Sequence, residues 1–195
     1  MSPDTAIGVR TGAFVAVVGP SGAGKDTVIR KACERLEDDH RFHFVRRIVT
    51  RPAEPEAEDH ETLGQAAFDR YEAEGRFSLS WRAHGLAYGL PASAVQKVET
   101  GAVVVANISR HSIASAIEAF PAVVAVTVTA EPDILIERIV ARGREDRAAA
   151  LERLSRSAPA TGVNGLAGAF TIDNSGPVDA AVDRFCSILN EMLPE

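Results

Sequence analysis

The chain is short of several residue types, and each shortage narrows what it can be. Two cysteines, Cys33 and Cys186, are too few for a disulfide framework. Both lie in helical patterns, where buried inert thiols are the simplest reading. No apolar run reaches the about 18 residues that a membrane span requires. The N-terminus has no basic stretch leading into an apolar one, so the cytoplasm is the expected compartment. Lysine is scarce: only Lys25, Lys31 and Lys97 stand among 21 basic residues. The rest are arginines, whose planar fork suits phosphate well, although a compositional bias toward arginine and alanine explains them equally. The net charge of −6 argues against broad nucleic-acid binding. Neither a membrane nor a nucleic acid is therefore expected as a partner. What remains is ordinary globular composition, 46% hydrophobic and 25% charged, with 195 residues to bury in one core.

The stretch Val15 to Thr27, VAVVGPSGAGKDT, organises the chain. An apolar run, Phe14 to Val18, reads as a buried strand. It breaks at Gly19, and a helical pattern follows Lys25 (Val28, Ile29, Ala32, Cys33, Leu36). Strand, glycine-rich turn and helix are the context of a phosphate-binding loop. Gly19, Gly22 and Gly24 can turn successive N–H groups inward, and the helix start adds its own N–H groups and positive dipole end. Residues Gly19, Pro20, Ser21, Gly22, Ala23, Gly24, Lys25, Asp26 and Thr27 are the expected nucleotide-phosphate contacts, with Lys25 on the β and γ phosphates. The hydroxyl that usually follows the lysine is replaced by Asp26. That carboxylate could bind magnesium, bind a metal water, or act on the acceptor. Asp26 and Thr27 are the metal candidates.

Further along, Phe42 to Thr50 reads as one strand and Arg51 to Glu61 as an exposed loop. A short helix (Ala66 to Glu74), a small hairpin (Phe77 to Trp81 with His84 to Tyr88) and a helix from Pro91 to Glu99 follow. Ala102 to Ile108 and Ala122 to Thr129 are uninterrupted apolar strands, of the kind buried on both faces of a parallel sheet. Helices are expected at Ser112 to Phe120, from Pro132, and at Asp146 to Ser157. Residues 159 to 168 read as a loop, Phe170 to Asp173 as a last strand, and Val178 to Met192 as the closing helix. The alternation predicts a three-layer α/β fold with a mostly parallel sheet. The expected division is a tail over 1–11 and one domain over 12–193. Within it, a core of 12–50 and 100–193 carries a small acceptor-binding insertion at about 51–90 and an arginine-rich lid at about 141–158. Ligands should lie beyond the carboxyl ends of the strands, where Asn107, Ser109 and Arg110 stand.

Phosphate loop, T-R segment, F-x-L-x-W…G-x-x-Y-G segment, R-x-x-x-R-G turn and N-S pair fall in the order of the guanylate kinase-like P-loop kinases. The chain resembles that family from Phe14 to Leu193. Within it, Gly-Lys-Asp (24–26), Ile-Val-Thr-Arg (48–51), Glu-Asp-His (58–60), Leu-Ser-Trp (79–81), His-Gly-Leu-Ala-Tyr-Gly (84–89) and Asn-Ile-Ser-Arg (107–110) resemble the ribose 1,5-bisphosphate phosphokinases. The resemblance implies ATP and Mg²⁺ as cofactors, a phosphosugar acceptor and a role in phosphonate breakdown. It implies Arg51, with Arg47 as helper, and Tyr88 on the acceptor phosphate, His60 on phosphate or sugar, and Ser80, Asn107, Ser109 and Arg110 as further acceptor contacts. It also implies Arg142 and Arg153 as catalytic lid arginines beside Arg138 and Arg144, and Asn174 near the adenine.

Departures from guanylate kinases point the same way. Their Glu before the tryptophan is Ser80 here, and their D-I-D segment is Asn107-Ile108-Ser109. Losing carboxylates that read guanine's N–H donors removes discrimination on the order of 10⁴-fold where a site was built for it. Trp81 then reads as a packing residue. The alternatives are a guanylate kinase with an unusual base pocket, another small-molecule kinase of this fold, or a non-catalytic binding module. The last usually lacks the loop lysine and lid arginines, which this chain keeps. The oligomeric state is left open, a homodimer being one option.

Overall fold

A computed structural model describes residues 11–51, 60–83, 85–141, 151 and 164–194. Strand β1 (Phe14–Val18) is buried at all five positions. It lies at the centre of a five-stranded parallel sheet with β2 (Phe42–Phe44), β7 (Val103–Asn107), β8 (Val123–Thr129) and β9 (Gly168–Asp173), in the order β2-β7-β1-β8-β9. Alternate side chains of β1 serve two separate cores. Val15 and Val17 pack with Val28 and Ala32 of α1 (Lys25–Arg35) and with Phe185, Ile188 and Leu189 of α6 (Val178–Glu191). Phe14, Ala16 and Val18 pack on the other face, with Val98 of α3 (Ser93–Glu99) and Ile113 and Ala116 of α4 (Ile113–Ala119). Phe14 stacks on Phe120 with ring centroids 4.1 Å apart. This period of two, apolar on both faces, is why the strand reads as a continuous hydrophobic run. The expected three layers and parallel sheet are both present.

A second sheet stands between α1 and α3 in sequence. Its order is β4-β3-β6-β5, formed by β3 (Arg47–Val49), β4 (His60–Thr62), β5 (Phe77–Ala83) and β6 (Leu86–Pro91). Helix α2 (Gln65–Ala73) covers one face of it through Phe68, which joins Ile48 and Ala87 in a small core. The other face carries Leu79 and Leu90 into the core shared with β1.

Three sequence expectations need correction here. The run Phe42 to Thr50 is two strands in different sheets, not one. Val45 N–H still donates to Val105 of β7 at 2.8 Å, and the chain then crosses over, so that Ile48 pairs with Gly89 of β6. Its apolar and β-branched residues favour extended backbone throughout but do not say which sheet receives them. The supposed loop from 51 ends in strand: His60, Glu61 and Thr62 pair in parallel with Arg47, Ile48 and Val49. Pro91 closes β6 rather than opening a helix, and α3 begins at Ser93. The tail over 1–10 and most of the arginine-rich segment, including Arg142, Arg144 and Arg153, lie outside the described residues.

Candidate active site

The turn after β1 is shaped by positions that exclude a side chain. A Cβ on Gly19 would lie 2.0 Å from the Val128 carbonyl oxygen, and Gly19 has φ +143°. Gly24 caps α1 in the left-handed region at φ +83°, and a Cβ there would meet Asn174 Nδ2 at 2.5 Å. As the N-cap residue, Gly24 has no side chain with which to cap the α1 N-terminus. Its first N–H groups and dipole end therefore face the concave side of the loop, which is the requirement for an anion. Lys25 Nζ donates to the carbonyl oxygens of Gly19 and Pro20, both at 2.9 Å, which folds the ammonium back over the loop.

Asn174, buried just past β9, holds the loop from outside. Its Nδ2 donates to the Ala23 carbonyl at 2.8 Å, and its own carbonyl accepts from Arg138 Nη2 at 3.0 Å. Arg138 projects from α5 (Pro132–Ala141). Gly22, Gly24, Thr27, Arg138, Asn174 and Val178 line a cleft of about 340 Å³ beside the loop. Asn174 Oδ1 and Arg138 Nη1 are buried there without a hydrogen-bond partner among the described residues. Unsatisfied buried polar atoms are costly, so a donor–acceptor ligand such as a nucleotide fits the cleft. Glycine cradle, uncapped helix start and ammonium likewise fit its phosphates.

Across the loop, Asp26 leaves the first turn of α1 toward the second sheet. Its Oδ1 accepts from Asn107 Nδ2 at 2.7 Å and lies 3.9 Å from Arg47 Nη2. The Arg47 guanidinium lies 5.8 Å from the Tyr88 ring centroid, and Tyr88 stacks on Trp81 at 5.3 Å and 6° between planes. Strand register explains this grouping: Val49 pairs with Tyr88 and Tyr88 with Trp81, so with Arg47 they share one face of the second sheet. Arg51 follows that strand, and its Nε is buried with no hydrogen-bond partner among the described residues. Ser109 caps the turn that contains Arg110, its hydroxyl accepting from His111 N–H at 3.3 Å. His60 is opposite Arg47 in the strand register.

Ser80 is not with this group. It pairs with Gly89 on the face covered by α2, and its hydroxyl donates to Glu72 Oε1 at 2.6 Å. Arg82 grips the same carboxylate at 3.1 and 2.7 Å. The Arg82 hydrogen bonds, helped by Ser80, hold Glu72 at about 2, well below the usual carboxylate range. Glu72 escaped the sequence reading because a helical glutamate ordinarily marks a solvated face. The bond between Asp26 and Asn107 also escaped it, although each residue was conspicuous alone.

A parallel sheet whose central strand ends in a lysine-bearing phosphate loop, with a second sheet facing that loop, defines a P-loop kinase of guanylate kinase-like fold. The guanylate kinase of Anaplasma phagocytophilum has this fold, with a TM-score of 0.65 over 96% of this chain and 90% of its own, at 18% identity. Sequence likeness is much stronger elsewhere. The ribose 1,5-bisphosphate phosphokinase of Brucella melitensis is 45% identical over 181 residues, 93% of each chain. That of Methylobacterium radiotolerans is 46% identical over 178 residues, 91% of this chain and 97% of its own. The chain belongs to the ribose 1,5-bisphosphate phosphokinase family and is a kinase. No family model matches it.

Proposed function

We propose that this chain transfers the γ-phosphoryl group of ATP to the 1-phosphate of ribose 1,5-bisphosphate. The products are 5-phosphoribosyl 1-diphosphate and ADP, and the reading carries with it the family's place in phosphonate breakdown. The observation that supports it is two sets of cationic groups that meet at Asp26. One is the loop with Lys25. The other is the sheet face with Arg47 and Tyr88, beside Arg51.

The acceptor phosphate is already an anion at neutral pH, so it needs no strong base to attack. The chain's work is then positioning and charge neutralisation. Lys25 would leave the loop carbonyls for the β and γ phosphates, while loop N–H groups bind the phosphate oxygens. Asn174 and Arg138 would hold the nucleoside end. Arg47, Arg51 and Tyr88 would seat one acceptor phosphate, with His60, Ser109 and Arg110 on the remainder of the sugar phosphate. Arg142 and Arg153, outside the described residues, would meet the charge on the moving group. Asp26 and Thr27 would hold magnesium through its waters, with the phosphates as its other ligands. Magnesium bound there supplies neutralisation of the γ-phosphate charge.

The test is product chemistry. With ATP and ribose 1,5-bisphosphate, phosphorus NMR should show a new diphosphate resonance pair on the sugar as ADP appears. Lys25→Ala should lose at least about 100-fold in kcat with its circular dichroism unchanged. A folded Lys25→Ala protein turning over at near wild-type rate would overturn the assignment.

A further inference from the structure

Asn107 is the last residue of β7, which lies between β2 and β1 in the main sheet. Its backbone is fixed opposite Val17, and the following N–H of Ile108 donates to the Val17 carbonyl at 3.1 Å. The side chain is buried, 8% exposed, and its amide donates to Asp26 Oδ1 at 2.7 Å. Arg47, on the second sheet, approaches the same oxygen at 3.9 Å. Both elements thus engage one oxygen of a partly exposed carboxylate. Among the described residues, both contacts are to Oδ1 and neither is to the other oxygen, Oδ2.

We propose that Asn107 is a positioning residue for Asp26. Its amide N–H is committed to Asp26 rather than offered to the acceptor sugar. Its amide pins Oδ1 so that the carboxylate keeps one orientation beside the phosphate loop, with Oδ2 left to the water shell of magnesium. An amide meets the requirement and an acid does not, because a second carboxylate 2.7 Å away would repel the first. Groups that orient a metal's carboxylate are typically worth 10- to 100-fold in metal affinity or activity. The inference rests on the nucleotide reading but not on which acceptor the kinase uses.

Four proteins test it: wild type, Asn107→Ala, Asn107→Asp and the exchange Asp26→Asn with Asn107→Asp. Each is melted without ligand, titrated with Mn²⁺ in the presence of a non-hydrolysable ATP analogue, and assayed for kcat and acceptor KM. Asn107→Ala should weaken metal binding and lower kcat by about 10- to 100-fold, with acceptor KM nearly unchanged. Asn107→Asp should melt lower. The exchange restores the hydrogen bond with the charge moved to β7, so it should regain the melting temperature but not the metal affinity. A purely structural bond would be rescued in full by the exchange. The proposal is overturned by that full rescue, or by Asn107→Ala with wild-type metal binding. If Asn107→Ala does not fold, the exchange alone decides. A wild-type protein that binds no nucleotide analogue overturns the nucleotide reading and this inference with it.

Discussion

Gly24 shows how much a single position can carry. Its left-handed backbone closes the phosphate loop, starts α1 and leaves room for Asn174 Nδ2. Gly24→Ala would strain the backbone and push Asn174 off the Ala23 carbonyl. The expected cost is about 1–3 kcal/mol of stability, with a parallel loss of ATP affinity because Asn174 also lines the cleft proposed for the nucleotide. Urea unfolding and calorimetric ATP titration check both, and an alanine variant unchanged in each would contradict this role. The loop was legible in the sequence because everything that makes it is local: spacing, glycines, lysine and flanking patterns. The partnership of Asp26 with Asn107 was not, since 81 residues separate them. Yet these are two of the positions at which the chain departs from the guanylate kinase pattern. Each departure alone gave an open question, and the contact relates them.

Among the elements, α2 is attached to the second sheet through one carboxylate. Glu72 ties it to Ser80 and Arg82 of β5, and Arg82 also lies 5.2 Å from the Phe68 ring centroid. The carboxylate is held at about 2 against an ordinary value of 4.5, so folding favours its ionised form. The stabilisation is therefore complete above pH 4.5 and is lost as pH falls from there toward 2. Glu72 is 36% exposed, and solvent screening limits the contribution to at most about 1 kcal/mol. Glu72→Gln should melt slightly below wild type at neutral pH, and the gap should close below pH 4.5. A gap that widened on acidification would contradict the assignment. At this scale the sequence showed most elements but not their partners. The sequence placed β5 and β6 as a hairpin, with β5 ended two residues early and β6 begun two residues early. It could not show that β3 and β4 extend it to four strands, because those strands are three residues each and flank a Pro- and Glu-rich stretch.

For the whole molecule, the architecture followed from alternating apolar strands and helices, and the two-faced burial of β1 explains why that signal was strong. The acceptor site was harder to read. As proposed, it draws on the second sheet, the phosphate helix and the end of β7, which meet at Asp26 only once the chain is folded. Arg47, Tyr88 and Trp81 share a face, while Glu72, which accepts from Ser80, is held by Arg82 on the opposite face. Among the described residues, the Arg47 face carries no carboxylate of its own, and Asp26 reaches Arg47 from α1.

The central claim is tested most directly by kcat/KM for ribose 1,5-bisphosphate and for GMP, measured side by side through ADP release. The account predicts a preference for the bisphosphorylated sugar of at least about 10³- to 10⁴-fold. Comparable or faster turnover of GMP would contradict it.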